Sequence, residues 1–349
     1  MISERILFVG HTRREERPYM DPSTRYRCFN IAYSLRELGH ITEVVTLSYF
    51  LDNIEVANNF KHIVFHRPTL ADDRLIQFFE KYRSVKNLIA DYDDLIFDVG
   101  NILNLPNIMA RDPYLVNVSD YISRNAAANQ YFEKFSVSTV PLAEKLKSII
   151  PLAQVHVISN SLTKEYVSLS RRIFSLNRKR EYKLGYFPGT AIHDNDFEGI
   201  APYLEVFFKN NKNGNLFVLG PLKIPDSLYR YSHRIEHVKD VIPFSHLPYV
   251  KANVETILAP LSHNEFAVCK SGLKFFEAMP LGCQVIATAI PDIDRFDSKY
   301  LHKCHKPEDW NSLLELKSIS KESYEYELDK TLSKVDAISV AKIWEERFL

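Results

Sequence analysis

The chain has 349 residues, and 44 basic side chains balance 44 acidic ones to a formal charge of zero. That balance argues against a strongly electropositive nucleic-acid binder. No run of sequence approaches the roughly 20 continuous apolar residues of a membrane span. With 46% hydrophobic residues the chain has apolar surface for two well-packed domains of ordinary size. Read from the start, MISERILFVG puts charge before a five-residue apolar run and lacks the h-region and cleavage site of a signal peptide. The four cysteines, Cys28, Cys269, Cys283 and Cys304, have no framework spacing, which suits free thiols in a reducing compartment. The expectation is a cytoplasmic protein.

Short apolar runs alternate with amphipathic stretches, the pattern of a parallel sheet with crossover helices. Strands are expected at 5–9, 42–46, 62–65, 87–90, 136–140 and 154–158, with helical patterns at 24–38, 72–84, 120–132 and 142–149. The pattern restarts with strands at 182–187, 215–219, 235–237, 255–259 and 284–288. The fold class is therefore α/β with two doubly wound, Rossmann-like domains. Residues 1–163 form the first and 164–335 the second; 336–349 is an amphipathic helix able to cross back to the first through Trp344 and Phe348. Near the join, Arg171, Arg172, Arg178, Lys179 and Arg180 form a basic stretch, read either as a solvated linker face or as peripheral contact with an acidic membrane surface.

In the first half, Gly10 ends the opening strand and begins a long polar loop, HTRREERPYMDPSTRYRCFN. Long loops in compact domains are usually functional or mobile. Gly10, Arg25 and Arg27 are thus candidates for a cleft-side anion contact, against a surface loop whose arginines pair with Glu15, Glu16 and Asp21. Asp91, Asp93 and Asp94 follow an apolar strand and so occupy its carboxyl end. Their residue type suits a divalent cation, a general base or simple capping. His302, Cys304 and His305 lack a fourth ligand at zinc spacing.

The most informative stretch is Cys269 to Thr288, CKSGLKFFEAMPLGCQVIAT. On a helix, Lys270, Lys274 and Glu277 stand at i, i+4 and i+7 and share a face. At about 1.5 Å rise per residue, Lys270 and Glu277 lie about 10 Å apart along the axis, on the order of a ribose diphosphate. Lys270 and Ser271 sit where unpaired N–H groups favour an anion, and Glu277 is placed to accept ribose hydroxyls. Gly282 closes the helix before a buried strand. A solvated Lys/Glu face is the alternative reading. Upstream, Gly189 and Thr190 follow a strand, where a glycine lets backbone N–H groups approach a phosphate. His193 stands beside them.

The segment NEFAVCKSGLKFFEAMPLGCQVIAT, from Asn264 to Thr288, resembles the donor-binding signature of GT-B glycosyltransferases of the family-4 type, in a bacterial polysaccharide-biosynthesis subgroup. VSTVPLAEKLKSIIPLAQVHVISNSL and KLGYFPGTAIHDNDF resemble the last elements of that family's first domain and the start of its donor domain. The resemblance implies two domains facing across a cleft and a nucleotide-sugar donor, with a growing surface polysaccharide or lipid-linked glycan as acceptor. It also implies transfer with retention and without a metal cofactor. Glu277 matches the carboxylate that holds the ribose. The family's second Glu is replaced by Cys269, with Glu265 the nearest carboxylate. The diphosphate charges fall to Lys270 and Lys274, with Gly189, Thr190, Ser271 and His193 beside them. Asp93 or Asp94 would serve as the base of an inverting relative. Other glycan-assembly enzymes are plausible partners. A nucleotide-sugar 2-epimerase, or a non-catalytic member of a glycan-assembly complex, would use the same architecture.

Overall fold

The computed structural model describes residues 3–104, 115–189, 193–317 and 319–349. The first sheet comprises β1 (Arg5–Gly10), β2 (Ile41–Thr46), β3 (His62–His66), β4 (Asn87–Tyr92), β5 (Lys134–Val137) and β6 (Gln154–Val157), in the order β2-β1-β3-β4-β5-β6. The second comprises β7 (Tyr182–Tyr186), β8 (Leu216–Leu219), β9 (Ile235–Val238), β10 (Val254–Ala259), β11 (Gln284–Thr288) and β12 (Leu301–Cys304), in the order β12-β11-β10-β7-β8-β9. Every pairing is parallel, from Ile6 against His62 in the first sheet to Thr256 against Gln284 in the second.

Continuous apolar runs make this possible. All five residues of β3 and of β11 are buried, as strands covered by helices on both faces require. In each sheet the order reverses beside the opening strand, β1 or β7, and ligand crevices form at such points, outside the strands' carboxyl ends. The edge strand β12 is absent from the sequence reading, because LHKC is short and carries two basic side chains where a buried strand would be apolar.

Two helices also differ from expectation. The helix expected over 24–38 is a helical turn at Pro22–Thr24, a π-helical turn at Arg25–Phe29 and an α-helix at Asn30–Glu37. The π turn inserts an extra residue per turn, and Arg25, Tyr26, Arg27 and Cys28 are all buried. In the donor-like segment, the helix expected from Lys270 begins at Leu273. Gly272 interrupts it, and the Gly272 N–H donates to the Asp292 carboxylate at 2.6 Å. Lys270 and Ser271 therefore lie in the link between the short helix Glu265–Val268 and the helix Leu273–Ala278. Gly282 ends the run at φ 62°, where a Cβ would meet the Phe174 ring at 2.3 Å.

The chain crosses between the sheets twice, and the crossings touch. The Leu162 N–H donates to the Val335 carbonyl at 2.8 Å, and the Ala337 N–H to the Leu162 carbonyl at 3.1 Å. The final helix, Ala337–Phe348, then lies against Asn30–Glu37. Its Val340, Ala341, Trp344 and Phe348 complete a core with Ile6, Phe8, Ile31 and Leu35 of the first half. Among the described residues no helix is long and apolar enough to cross a membrane.

Candidate active site

The donor-like segment is fastened to the first half at successive points. The Thr139 hydroxyl donates to the Cys269 carbonyl at 2.9 Å, and Lys145 pairs with Glu265 on the surface. Lys270 Nζ reaches the Asp94 carboxylate at 2.5 Å, two residues beyond the carboxyl end of β4. The Tyr26 hydroxyl, from the π turn, donates to Glu277. The Arg25 guanidinium carbon lies over the Phe244 ring, 3.5 Å from its centroid. The strand ends of the first sheet and the segment after β10 thus form one site.

Lys274 is the unusual group. Its ammonium is buried, and Nζ has neither a hydrogen bond nor an ion pair among the described residues. It rests over the Tyr186 ring at 5.0 Å. Burial drives the Lys274 pKa down; the more distant charges of Asp196 and Glu277 oppose this and Lys251 and Lys270 reinforce it, leaving a value of about 8. A buried cation without an anion is costly, and it marks a place where an anion belongs. The Ser271 hydroxyl, three residues earlier, is also buried without a partner.

His193 faces the same charges. Burial lowers its pKa first; the Asp196 hydrogen bond resists, and Lys274 and Lys270 lower it further. A neutral ring donates from Nδ1 to the Asp196 carboxylate at 2.8 Å, which leaves Nε2 as an acceptor. Asp196 is fixed by the Ser262 N–H and hydroxyl at 2.7 and 2.6 Å. Gly189 borders open space. Thr190 lies outside the described residues. Across the loop, Gly220 has φ 126° and a Cβ there would fall 2.2 Å from the Pro188 carbonyl, so only glycine lets the ends of β7 and β8 approach.

Glu277 is placed by both halves. One carboxylate oxygen accepts from Tyr26 and the other from Lys251 Nζ at 2.5 Å, and the Tyr166 hydroxyl holds the Glu277 carbonyl at 2.9 Å. Burial pushes the carboxyl upward, but Lys251 and the two hydrogen bonds outweigh it and keep it below its ordinary value. Tyr26 and Lys251 have no local sequence signal; both meet Glu277 only through the fold.

In the first half, three neighbouring carboxylates have three different situations. Asp91 takes a two-pronged contact from Arg27, at 3.0 Å from Nε and 2.6 Å from Nη2. Asp93 accepts from Ser23 and from Arg67 Nε at 2.7 Å, with His66 at 3.4 Å. Burial raises its pKa, but Arg67 and His66 together carry it well below the carboxylate range. Asp94 alone bridges, with Oδ2 on Arg67 at 2.7 Å and Oδ1 on Lys270. Arg67 follows β3 with φ 54°, a conformation non-glycine residues rarely adopt and one that clusters at functional sites. A charged residue directly after the apolar run Ile63–Phe65 and its closing His66 was the available signal.

Several expectations change here. Arg27 is not a cleft group: its remaining donors go to the Ile158 carbonyl, Asn160 and Ser136 at 2.5, 3.1 and 3.0 Å, so it braces the interior of the first half. Arg25 is buried under Phe244 and gives Nη1 to the Tyr19 carbonyl, which makes it a joint between the halves. Gly10 allows a close approach, since a Cβ would meet Thr24 at 2.7 Å. Glu265 faces Lys145 rather than Glu277 or Lys274. In the basic stretch, Arg180 caps the carbonyls of Val254, Leu281 and Gly282, and Arg171 pairs with Glu325.

No family model matches the chain, and no curated protein matches its sequence. Solved structures do. The chain is similar to AviGT4, a glycosyltransferase involved in avilamycin A biosynthesis, at 12% identity and a TM-score of 0.62 over 99% of this chain and 97% of that one. A glycosyltransferase from Rickettsia africae aligns at 11% identity and a TM-score of 0.60, over 99% and 98%. HepE of Anabaena, solved with UDP and glucose, aligns at 12% identity and a TM-score of 0.54, over 98% of both chains. These likenesses show the fold, the two facing Rossmann-like domains of GT-B glycosyltransferases.

Proposed function

We propose that this chain is a glycosyltransferase that moves a sugar from a nucleotide-sugar to a surface polysaccharide or lipid-linked glycan acceptor, with retention and without a metal ion. The observation that carries the reading is Lys274: a buried ammonium with no anion, beside the unpartnered Ser271 hydroxyl, at the carboxyl ends of a doubly wound sheet. A donor diphosphate supplies the missing charge. HepE, of the same fold, was solved with UDP-glucose, and the resemblance of residues 264–288 to a donor-binding signature points the same way.

In the reaction, negative charge grows on the departing phosphate as the sugar leaves. Lys274, Lys270 and Ser271 meet that charge, and the buried Lys274 ammonium and Ser271 hydroxyl are donors already in place, which stabilise a transition state most. Neutral His193, oriented by Asp196, presents Nε2 to a hydroxyl of the transferred sugar. Glu277 serves the ribose through the lone pairs that Tyr26 and Lys251 leave on its two oxygens, with Lys251 keeping the carboxylate ionised. Asp93 is saturated by Ser23, His66 and Arg67, which makes it a scaffold rather than a base.

The test is a set of nucleotide-sugars examined by thermal shift, followed by assay of nucleoside diphosphate release. A ligand that binds only the native state raises the melting temperature. The expected result is stabilisation by one nucleoside diphosphate and its sugar conjugate. Failure of every nucleotide to bind would overturn the reading, and conversion of a nucleotide-sugar to its epimer without an acceptor would replace it with an isomerase.

A further inference from the structure

The contacts that hold the site together are made to the residues assigned to the donor. Lys270, assigned to the diphosphate, is neutralised by a carboxylate of the opposite half, Asp94. That carboxylate is held in place from behind. Arg67 grips Asp94 Oδ2 at 2.7 Å and Asp93 at 2.7 Å. Its backbone is fixed in the left-handed region by an N–H bond to the Asp91 carbonyl at 2.7 Å. Only Oδ1 of Asp94 is directed to Lys270. The two side chains are each about one-fifth exposed, so the pair is reachable from solvent, unlike the sealed Arg27–Asp91 pair.

We propose that Asp94 is the resident counter-anion of Lys270, standing where a donor phosphate oxygen will bind, and that the donor displaces it. The inference rests on the donor reading above. Its physical basis is competition: one ammonium cannot give its full charge to a carboxylate and a phosphate together, and the diphosphate has the additional attraction of Lys274, which Asp94 does not contact. Without donor, the pair ties the halves together at the mouth of the site. With donor, Lys270 turns to the phosphate, and Asp94 stays on Arg67 with Oδ1 released. Donor arrival thereby breaks a contact between the halves and leaves a free carboxylate oxygen in the cleft. Asp94 consequently weakens donor binding, the reverse of what a carboxylate needed only for structure would do.

The experiment compares the full-length protein with Asp94→Asn and Asp94→Ser variants, the second in case the first fails to fold. Calorimetric titration uses inorganic pyrophosphate and UDP as probes at one fixed ionic strength. Removing the competitor should tighten both probes by about fivefold, the upper end for an ion pair that water can reach. The tightening should vanish in a Lys270→Gln background, where the cation competed for is gone. Affinity that is unchanged or weaker in both Asp94 variants, while the wild-type protein binds, overturns this inference and leaves the donor reading intact. Tightening that persists in the Lys270→Gln background also overturns it. If the wild-type protein binds neither probe, the donor reading fails and takes this inference with it.

Discussion

Replacing Lys274 by Met tests the central claim most directly, because it should make the empty protein more stable and the liganded one weaker. Lys274 is held at about 8, against an ordinary 10.5. At about 1.36 kcal/mol for each tenfold change, the buried charge costs the fold roughly 3 kcal/mol. The sign follows from proton counting. Below pH 8 both folded and unfolded chains carry the proton and the penalty is full. Between about 8 and 10.5 the unfolded chain keeps the proton and the folded one has lost it, so stability rises with pH until the penalty is gone. Met has nearly the same length and volume without the charge. Lys274→Met should therefore be more stable than the wild type by up to about 3 kcal/mol at pH 7, with the gain shrinking toward pH 10. Urea unfolding at the two pH values measures this difference, and the comparison with the wild type cancels other titrating groups. Pyrophosphate affinity should fall by about 1.5 to 3 kcal/mol, the range for a hydrogen bond to a charged group. A variant less stable than the wild type at pH 7, or a gain that ignores pH, would refute the reasoning by showing that the ammonium already has an anion.

Glu277→Gln should lose about 3 kcal/mol of stability by urea unfolding, because Lys251, buried beside it, loses its anion; a wild-type midpoint would contradict the pairing. The same variant should bind donor more weakly, and unchanged affinity in calorimetry would remove Glu277 from the ribose. Trp344→Ala should cost about 3 to 5 kcal/mol through loss of a buried indole against Phe8 and Phe348, read as a lower melting temperature; an unchanged melt would mean the final helix contributes no stability. Transferase activity should survive EDTA, since Lys270 and Lys274 supply positive charge. Loss on chelation with rescue by magnesium or manganese would move the chemistry to the acidic residues after β4.

Eleven of the twelve strands are legible in the sequence, the central ones because a strand covered on both faces is a run of apolar residues, whatever surrounds it. LHKC presents no such run, because His302 and Lys303 separate its two buried residues, Leu301 and Cys304. The donor-like segment is readable by type but not by partner. Lys270, Lys274 and Glu277 look alike on a helical wheel. The fold gives one to Asp94, leaves one bare and seals one between Tyr26 and Lys251. Those partners lie 176, 251 and 26 positions away, beyond any local pattern. Arg27 shows the converse. An arginine after a polar loop reads as a surface or cleft group, yet it lies in the interior because Asp91, 64 positions later, is there to receive it. The π turn decides these directions, sending Arg25 to Phe244, Tyr26 to Glu277 and Arg27 to Asp91. Helical periodicity assumes 3.6 residues per turn and cannot anticipate it.

The paired crossings constrain how this molecule can change over time and over evolution. Because Leu162 is bonded on both sides to the returning chain, at Val335 and Ala337, the two connectors behave like two knuckles on one pin. Rotation about the shared line is soft, whereas sliding or twisting would stretch the backbone hydrogen bonds. An insertion in one connector alone would throw the pin out of line and misalign Lys270 with Asp94 and Glu277 with Tyr26. Lengthening that is tolerated here should come in matched pairs, one change in each connector.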